Sequence, residues 1–169
     1  RLGADLRVRW APIARRFTGN RTRQEYDAFG RVEYVRYPSK TTPGEIANDY
    51  EQFYYNPNGT LEHVRTRFGK GVFFTYDGLR RVNSKTVDCR SGLAATHCRP
   101  VHYGYDHYGN LTYARFDSAS GEGISFDYDA FGRKTDETQS MDGTSRQLLF
   151  TYNVDGTREW IRNPLGSKW

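Results

Sequence analysis

Tyr26-Asp27-Ala28-Phe29-Gly30-Arg31 returns as Tyr128-Asp129-Ala130-Phe131-Gly132-Arg133, and looser copies lie between and after. Tyr105-Asp106-His107-Tyr108-Gly109-Asn110 differs at its last position only. Tyr76-Asp77-Gly78-Leu79-Arg80-Arg81 keeps Tyr-Asp and loses the fifth-position glycine. Tyr55-Asn56-Pro57-Asn58-Gly59-Thr60 and Tyr152-Asn153-Val154-Asp155-Gly156-Thr157 carry Asn for Asp. The six tyrosines are spaced by 29, 21, 29, 23 and 24 residues. Recurrence at such a period marks a chain built from one supersecondary unit used repeatedly.

Each copy has a physical reading. Two residues before the tyrosine stand Gln24, Phe53, Phe74, Tyr103, Phe126 and Phe150, five of them aromatic. An aromatic-x-Tyr alternation is the period-two pattern of a strand with one covered face. The Asp or Asn that follows can accept a hydrogen bond from the backbone two residues on. Glycine three positions later suits a type I turn closed by a residue of positive φ, the three-residue hairpin loop with a bulge. After it alternation resumes, with Val32 and Tyr34, Leu61 and His63, Val82 and Ser84, Leu111 and Tyr113 in matching places. The unit is therefore strand, tight turn, strand. Only Thr42 to Tyr50, around Glu45-Ile46-Ala47, could form a short turn of helix. At Arg80 two geometries compete. Keeping the turn costs roughly 1 kcal/mol for a left-handed non-glycine residue. The preferred expectation is that Gly78 shifts the turn locally.

These residues resemble the YD repeats, also called RHS repeats, with a consensus near Y-D-x-x-G-R. The resemblance runs from about Tyr26 to the end of the sequence and rests on Tyr26, Asp27, Gly30, Arg31, Tyr55, Gly59, Tyr76, Asp77, Tyr105, Asp106, Gly109, Tyr128, Asp129, Gly132, Arg133, Tyr152 and Gly156. The family includes bacterial Rhs and wall-associated polymorphic toxins, shell components of insecticidal toxin complexes, and teneurins. It implies an all-β fold: about six strand-turn-strand units forming a curved antiparallel strip, part of a hollow shell. It also implies a non-enzymatic role, with the remaining repeats and a C-terminal toxin or cargo of the same polypeptide as partners, in a secreted or cell-surface protein of bacterial export. A complete shell uses more repeats, and the family's D-P-x-G-rich core signature is not found. Residues 1–169 are thus expected to be a single repeat block from a longer chain, with 1–23 an irregular or partial-repeat end. Asn163-Pro164-Leu165-Gly166 looks like a link to another strand.

Composition agrees with a thin sheet. Hydrophobic residues make up 36% and mean hydropathy is −0.86, low for a thick core, whereas aromatics reach 15%. Amphipathic rings can cover a sheet without aliphatic packing. No apolar run approaches a membrane span, and the basic opening to Arg16, broken by Pro12, is not a signal peptide. The net charge of +5 could suggest nucleic acid, but the basic residues are dispersed. Arg31, Arg81 and Arg133 follow the turn and are expected to pair with a neighbouring unit's carboxylate or stack on its tyrosine. No specific nucleic-acid partner is expected.

Cys89 and Cys98 lie in the insertion that lengthens one interval. They form either a disulfide closing a short loop or two free thiols, and the export that the resemblance implies favours the disulfide. With His97 and His102 they could be imagined as a zinc site, but the adjacent His97-Cys98 pair is awkward for a tetrahedral set. No metal or cofactor is expected. The turn aspartates recur as structural residues and no serine has a nucleophile-elbow context, so no catalytic residue is assigned. Asn20, Asn58 and Asn110 stand in Asn-x-Thr sequons, which matter only in a glycosylating host. The rival reading is a carbohydrate-binding or adhesive module that uses exposed aromatic rows.

Overall fold

The computed structural model describes residues 21–39, 45–89, 94, 97–163 and 166. The described chain is an up-and-down meander of twelve strands: β1 (Arg23–Tyr26), β2 (Val32–Pro38), β3 (Glu45–Tyr55), β4 (Leu61–Arg65), β5 (Gly71–Tyr76), β6 (Val82–Val87), β7 (Val101–Tyr105), β8 (Leu111–Phe116), β9 (Gly123–Tyr128), β10 (Lys134–Met141), β11 (Thr144–Tyr152) and β12 (Arg158–Arg162). They form one open sheet in sequence order, every neighbouring pair that is registered being antiparallel. The six Tyr-Asp or Tyr-Asn turns all lie along one edge of this strip, and the connections between units lie along the other.

The turns have the expected loop and one feature beyond it. In the first, the Gly30 N–H donates to the Asp27 carbonyl at 3.0 Å and the Asp27 N–H to the Arg31 carbonyl at 2.8 Å. Gly30 has φ of 76°, a conformation that glycine adopts without a Cβ penalty. Beyond the loop, Tyr26 pairs with Val32 but Glu25 with Tyr34, so β2 carries an extra residue. The same slip occurs beside Tyr55, Tyr76, Tyr105, Tyr128 and Tyr152. Such a β-bulge interrupts the ladder and twists the strand.

Arg80 departs from the expectation. The turn does not shift to Gly78: Arg80 itself has φ of 61°, and the Arg80 N–H donates to the Asp77 carbonyl at 3.0 Å as in the glycine copies. The bonds that fix the turn, multiplied by pairing on both sides, outweigh the local strain. Arg80→Gly is therefore expected to raise stability by about 1 kcal/mol. A urea midpoint unchanged or lowered in this variant would contradict that reading.

Residues Glu45–Tyr55 also correct the sequence reading, being the longest strand rather than a helical turn; positions 42–44 lie outside the described residues. Pairing decides it. Arg36 opposes Tyr50, the Tyr34 and Tyr50 rings meet at 5.6 Å, and the Arg65 guanidinium lies 4.1 Å above the Tyr50 ring.

No second layer covers the strip among the described residues. Only Cys98 and Ser39 there are buried, at 8% and 7% exposed, and no large side chain is fully enclosed. A sheet normally buries one face against another element. Here most strand rings are half-covered by their neighbours in the plane of the strip, while the turn-tip rings project into solvent.

Candidate functional site: the turn edge and the two faces

Asp27 is the hub of its turn. Its Oδ1 accepts from the N–H groups of Phe29 and Arg31, both at 2.9 Å. Its Oδ2 accepts from the Arg31 Nε at 2.7 Å. Asp77 and Asp129 repeat all three bonds with Leu79 and Arg81, and with Phe131 and Arg133. Asp106 does the same with Tyr108 and Asn110. The carboxylate that each arginine meets is thus in its own turn, not the neighbouring unit's. The loop folds back so that the residue after the glycine lies over the aspartate.

The tyrosine joins one unit to the next. The Tyr55 hydroxyl donates to the Val32 carbonyl at 2.8 Å, in the bulged step of the preceding unit. Tyr76 reaches Leu61, Tyr105 reaches Val82, Tyr128 reaches Leu111 and Tyr152 reaches Lys134, each at 2.8–2.9 Å. Where arginine follows the turn it also caps the next ring: Arg31 lies over Tyr55 at 4.3 Å, Arg81 over Tyr105 at 4.6 Å and Arg133 over Tyr152 at 4.6 Å. The tyrosines do not pack ring on ring. They stand two strands apart, roughly 10 Å, too far to touch. The link is a hydroxyl-to-carbonyl bond, with a guanidinium added in three of the five junctions.

These bonds shift the acidities in opposite directions. The Arg81 backbone N–H, with its guanidinium, holds the Asp77 carboxyl below the usual range. The Asn110 side chain does the same first for Asp106. At Asp27 and Asp129 burial works upward, but the backbone and side-chain donors of Arg31 and Arg133 outweigh it. Burial raises the phenols of Tyr55, Tyr76, Tyr105 and Tyr128 above their ordinary 10.0. The lowered carboxyls contribute stability that is full above about pH 4 and lost as pH falls through their folded values. The raised phenols contribute stability that is full below about pH 10 and lost as pH rises through theirs, because a tyrosinate cannot donate to a carbonyl. Protection of the turn amides against hydrogen exchange is expected to fall in acid and unit-to-unit pairing to loosen in alkali. Turn protection unchanged from neutral to strongly acidic pH would remove the aspartate from this role.

The pairing register gives the strip two unlike faces. Phe53 opposes Val64, which opposes Val72, which opposes Val87. Val101 opposes Phe116, Tyr103 opposes Ala114, and Ala114 opposes Ile124. Phe74, Phe126, Phe150, Leu148 and Ile161 share this face by register. Around β7 to β10 it dips into an open apolar hollow of about 400 Å³, lined by Val101, Phe116, Ile124 and Met141. The opposite face is polar or aromatic. Ser84 opposes His102, Gly104 opposes Tyr113, Ser125 opposes Thr138 and Ser140 opposes Ser145. On it the Tyr54 ring stacks on His63 at 4.0 Å, and His63 lies 5.1 Å from Phe73.

Other sequence candidates fall elsewhere. Cys89 and Cys98 are bonded across a loop on the far edge, with Cα atoms 5.8 Å apart. His102 is in β7 on the polar face, not with that pair. No cluster of three metal-ligating side chains occurs among the described residues. The Asn58 sequon lies in an exposed turn, whereas the Asn110 amide is engaged by Asp106. Asn20, Pro164 and Leu165 lie outside the described residues. The far edge holds turns that the sequence reading missed. Thr66 substitutes for aspartate in a loop in which the Gly69 N–H donates to the Thr66 carbonyl at 2.8 Å. Asp142 and Gly143, with φ of 50° and 70°, form a two-residue hairpin turn. The Asp-Gly pair between alternating runs was its available signal.

No family model and no curated protein matches the chain. Solved structures share its fold. The crystal structure of TcdB2-TccC3-TEV aligns with a TM-score of 0.68 at 16% identity, over 89% of this chain and 8% of that one. TcdB2-TccC3 without its hypervariable C-terminal region gives 0.69 and 16%, over 89% and 9%. The Photorhabdus luminescens Tc holotoxin pore gives 0.65 and 17%, over 89% and 8%. The chain thus spans less than a tenth of these toxin chains, and the likeness is of the fold: an open, curved antiparallel strip. Among the described residues, no helix is long and apolar enough to cross a membrane.

Proposed function

We propose that this chain is a segment of a YD/Rhs-repeat shell, a non-enzymatic wall that encloses a C-terminal toxin or cargo of the same polypeptide in an exported protein. The observation that carries the reading is the asymmetry of the strip. One face carries most of the apolar strand residues, interrupted by Lys85, Glu137 and Gln139, without a second layer among the described residues, while the other is polar or aromatic. A wall that separates an enclosed chain from water needs two such faces, and the shared fold with toxin-complex chains supports this use. The action is steric. Units are joined through Tyr hydroxyls and Asp-braced turns, which would hold the wall together along its turn edge.

Limited proteolysis of the longer parent polypeptide tests the proposal. The C-terminal segment is expected to resist protease while the strip is intact and to be cleaved once Tyr105 and Tyr128 are both replaced by alanine. A C-terminal segment equally digestible in both proteins would sink it. The adhesive alternative predicts a saturable glycan affinity in this chain, lost when the exposed Tyr108 and Phe131 rings are replaced.

A further inference from the structure

We propose that the turn edge is a homotypic docking edge, which takes the same edge of a second copy of this chain. The inference rests on the fold alone and not on the presence of a cargo. Five of the seven large hydrophobic side chains most exposed among the described residues sit at the tips of these turns: Phe29, Leu79, Tyr108, Phe131 and Val154. Phe131 is 84% exposed and Tyr108 89%. Among the described residues the far edge contributes only Phe68. The turn sequence does not need rings here, since Asn58 occupies the same place in the second copy.

The occupant follows from spacing, charge and area. Successive tips stand about 10 Å apart, because each unit is two strands wide. The notches between tips have the same period, and the one between the last two turns is an open groove of about 560 Å³ lined by Phe131, Tyr152 and Val154. Only a partner with the same strand-pair repeat matches tip to notch along the whole row. A second copy turned by a two-fold axis presents that row, offset by half a period. At three of the turns charge does not oppose the match, because Asp27, Asp77 and Asp129 are each neutralised by an arginine of the same turn, whereas Asp106 and Asp155 accept from the neutral Asn110 and Thr157. Five tips, three aromatic and two aliphatic, would bury roughly 600 Å² per copy, taking somewhat over 100 Å² for each docked side chain. That is below the ~800 Å² per partner of a stable complex, so the association is weak and reversible.

Sedimentation velocity over a concentration series reads the association directly. The chain is expected to shift reversibly from monomer to dimer. The triple variant Phe29→Asp, Tyr108→Asp, Phe131→Asp is expected to weaken this at least tenfold, with Phe68→Asp on the far edge leaving it unchanged. Unaltered circular dichroism establishes that the triple variant still folds. If it does not fold, a photo-crosslinking residue placed at Tyr108 in the otherwise unchanged chain decides the matter. Crosslinks to turn peptides of another copy support the proposal. Crosslinks to the apolar face around Ile124, no crosslinks between copies, or a chain that stays monomeric throughout, overturn it.

Discussion

Replacing Tyr105 by alanine is expected to cost about 3 kcal/mol, the low end for a large ring because the side chain is half-covered rather than enclosed. Three losses combine. The hydroxyl that donates to the Val82 carbonyl at 2.9 Å disappears, and that carbonyl sits at the bulged step of the preceding unit. The Arg81 guanidinium loses the ring 4.6 Å beneath it. The apolar face loses contact area beside Tyr103. In a repeat protein such a change weakens the interface between two units, and the terms on both sides of it cannot compensate. Tyr105→Phe removes the hydroxyl alone and is expected to cost about 1 kcal/mol. Tyr26 provides the internal control. Its hydroxyl donates to Gln24 of its own strand at 2.8 Å and it is 57% exposed, so Tyr26→Ala should stay within about 0.5 kcal/mol. Urea titrations of the three variants check the order. Equal losses at Tyr105 and Tyr26 would mean that the hydroxyl link carries no inter-unit stability.

Gly123→Ala is expected to be as severe, about 3 kcal/mol or more, for a different reason. Gly123 opens β9 with φ of 152°. A Cβ there would lie 2.3 Å from the Ala114 carbonyl oxygen and 2.7 Å from the Arg115 Cα. Both obstacles are backbone, so no rotamer change relieves them, and β8 must part from β9 beneath the apolar hollow. Gly104 gives the contrast. Its added Cβ meets the Tyr113 ring at 2.0 Å, but a ring can swing away, at about 1–2 kcal/mol. Thermal or urea unfolding of the two alanine variants tests this. A smaller loss at Gly123 than at Gly104 would show that the β8–β9 approach is not rigid.

Much of the turn edge was legible because its chemistry is local. Asp27, Gly30 and Arg31 bond within five residues, so their spacing in the sequence is already their geometry. The Thr66 and Asp142-Gly143 turns were equally local but lacked the tyrosine that marked the others. The segment after Thr42 was misjudged for another reason. Glu45-Ile46-Ala47 tolerates a helical turn taken alone, and only the strand beside it makes it extended.

Readable in the chain alone were an all-β fold of repeated hairpins, their approximate number, and which residues shape the six tyrosine turns. Those features depend on dihedral preferences and on hydrogen bonds between near neighbours. The tertiary structure alone decided that Arg80 keeps the left-handed turn. It also placed a second bulge beyond each tyrosine turn and directed the hydroxyls of Tyr55, Tyr76, Tyr105, Tyr128 and Tyr152 to the carbonyl at the preceding unit's bulged step. The division of the strip into an apolar and a polar face belongs here too. Each of these follows from cross-strand register, and one residue of slip reverses the face that every later side chain occupies. Register is set by contacts between residues some 10 to 25 positions apart, and these arise only once the strands lie side by side.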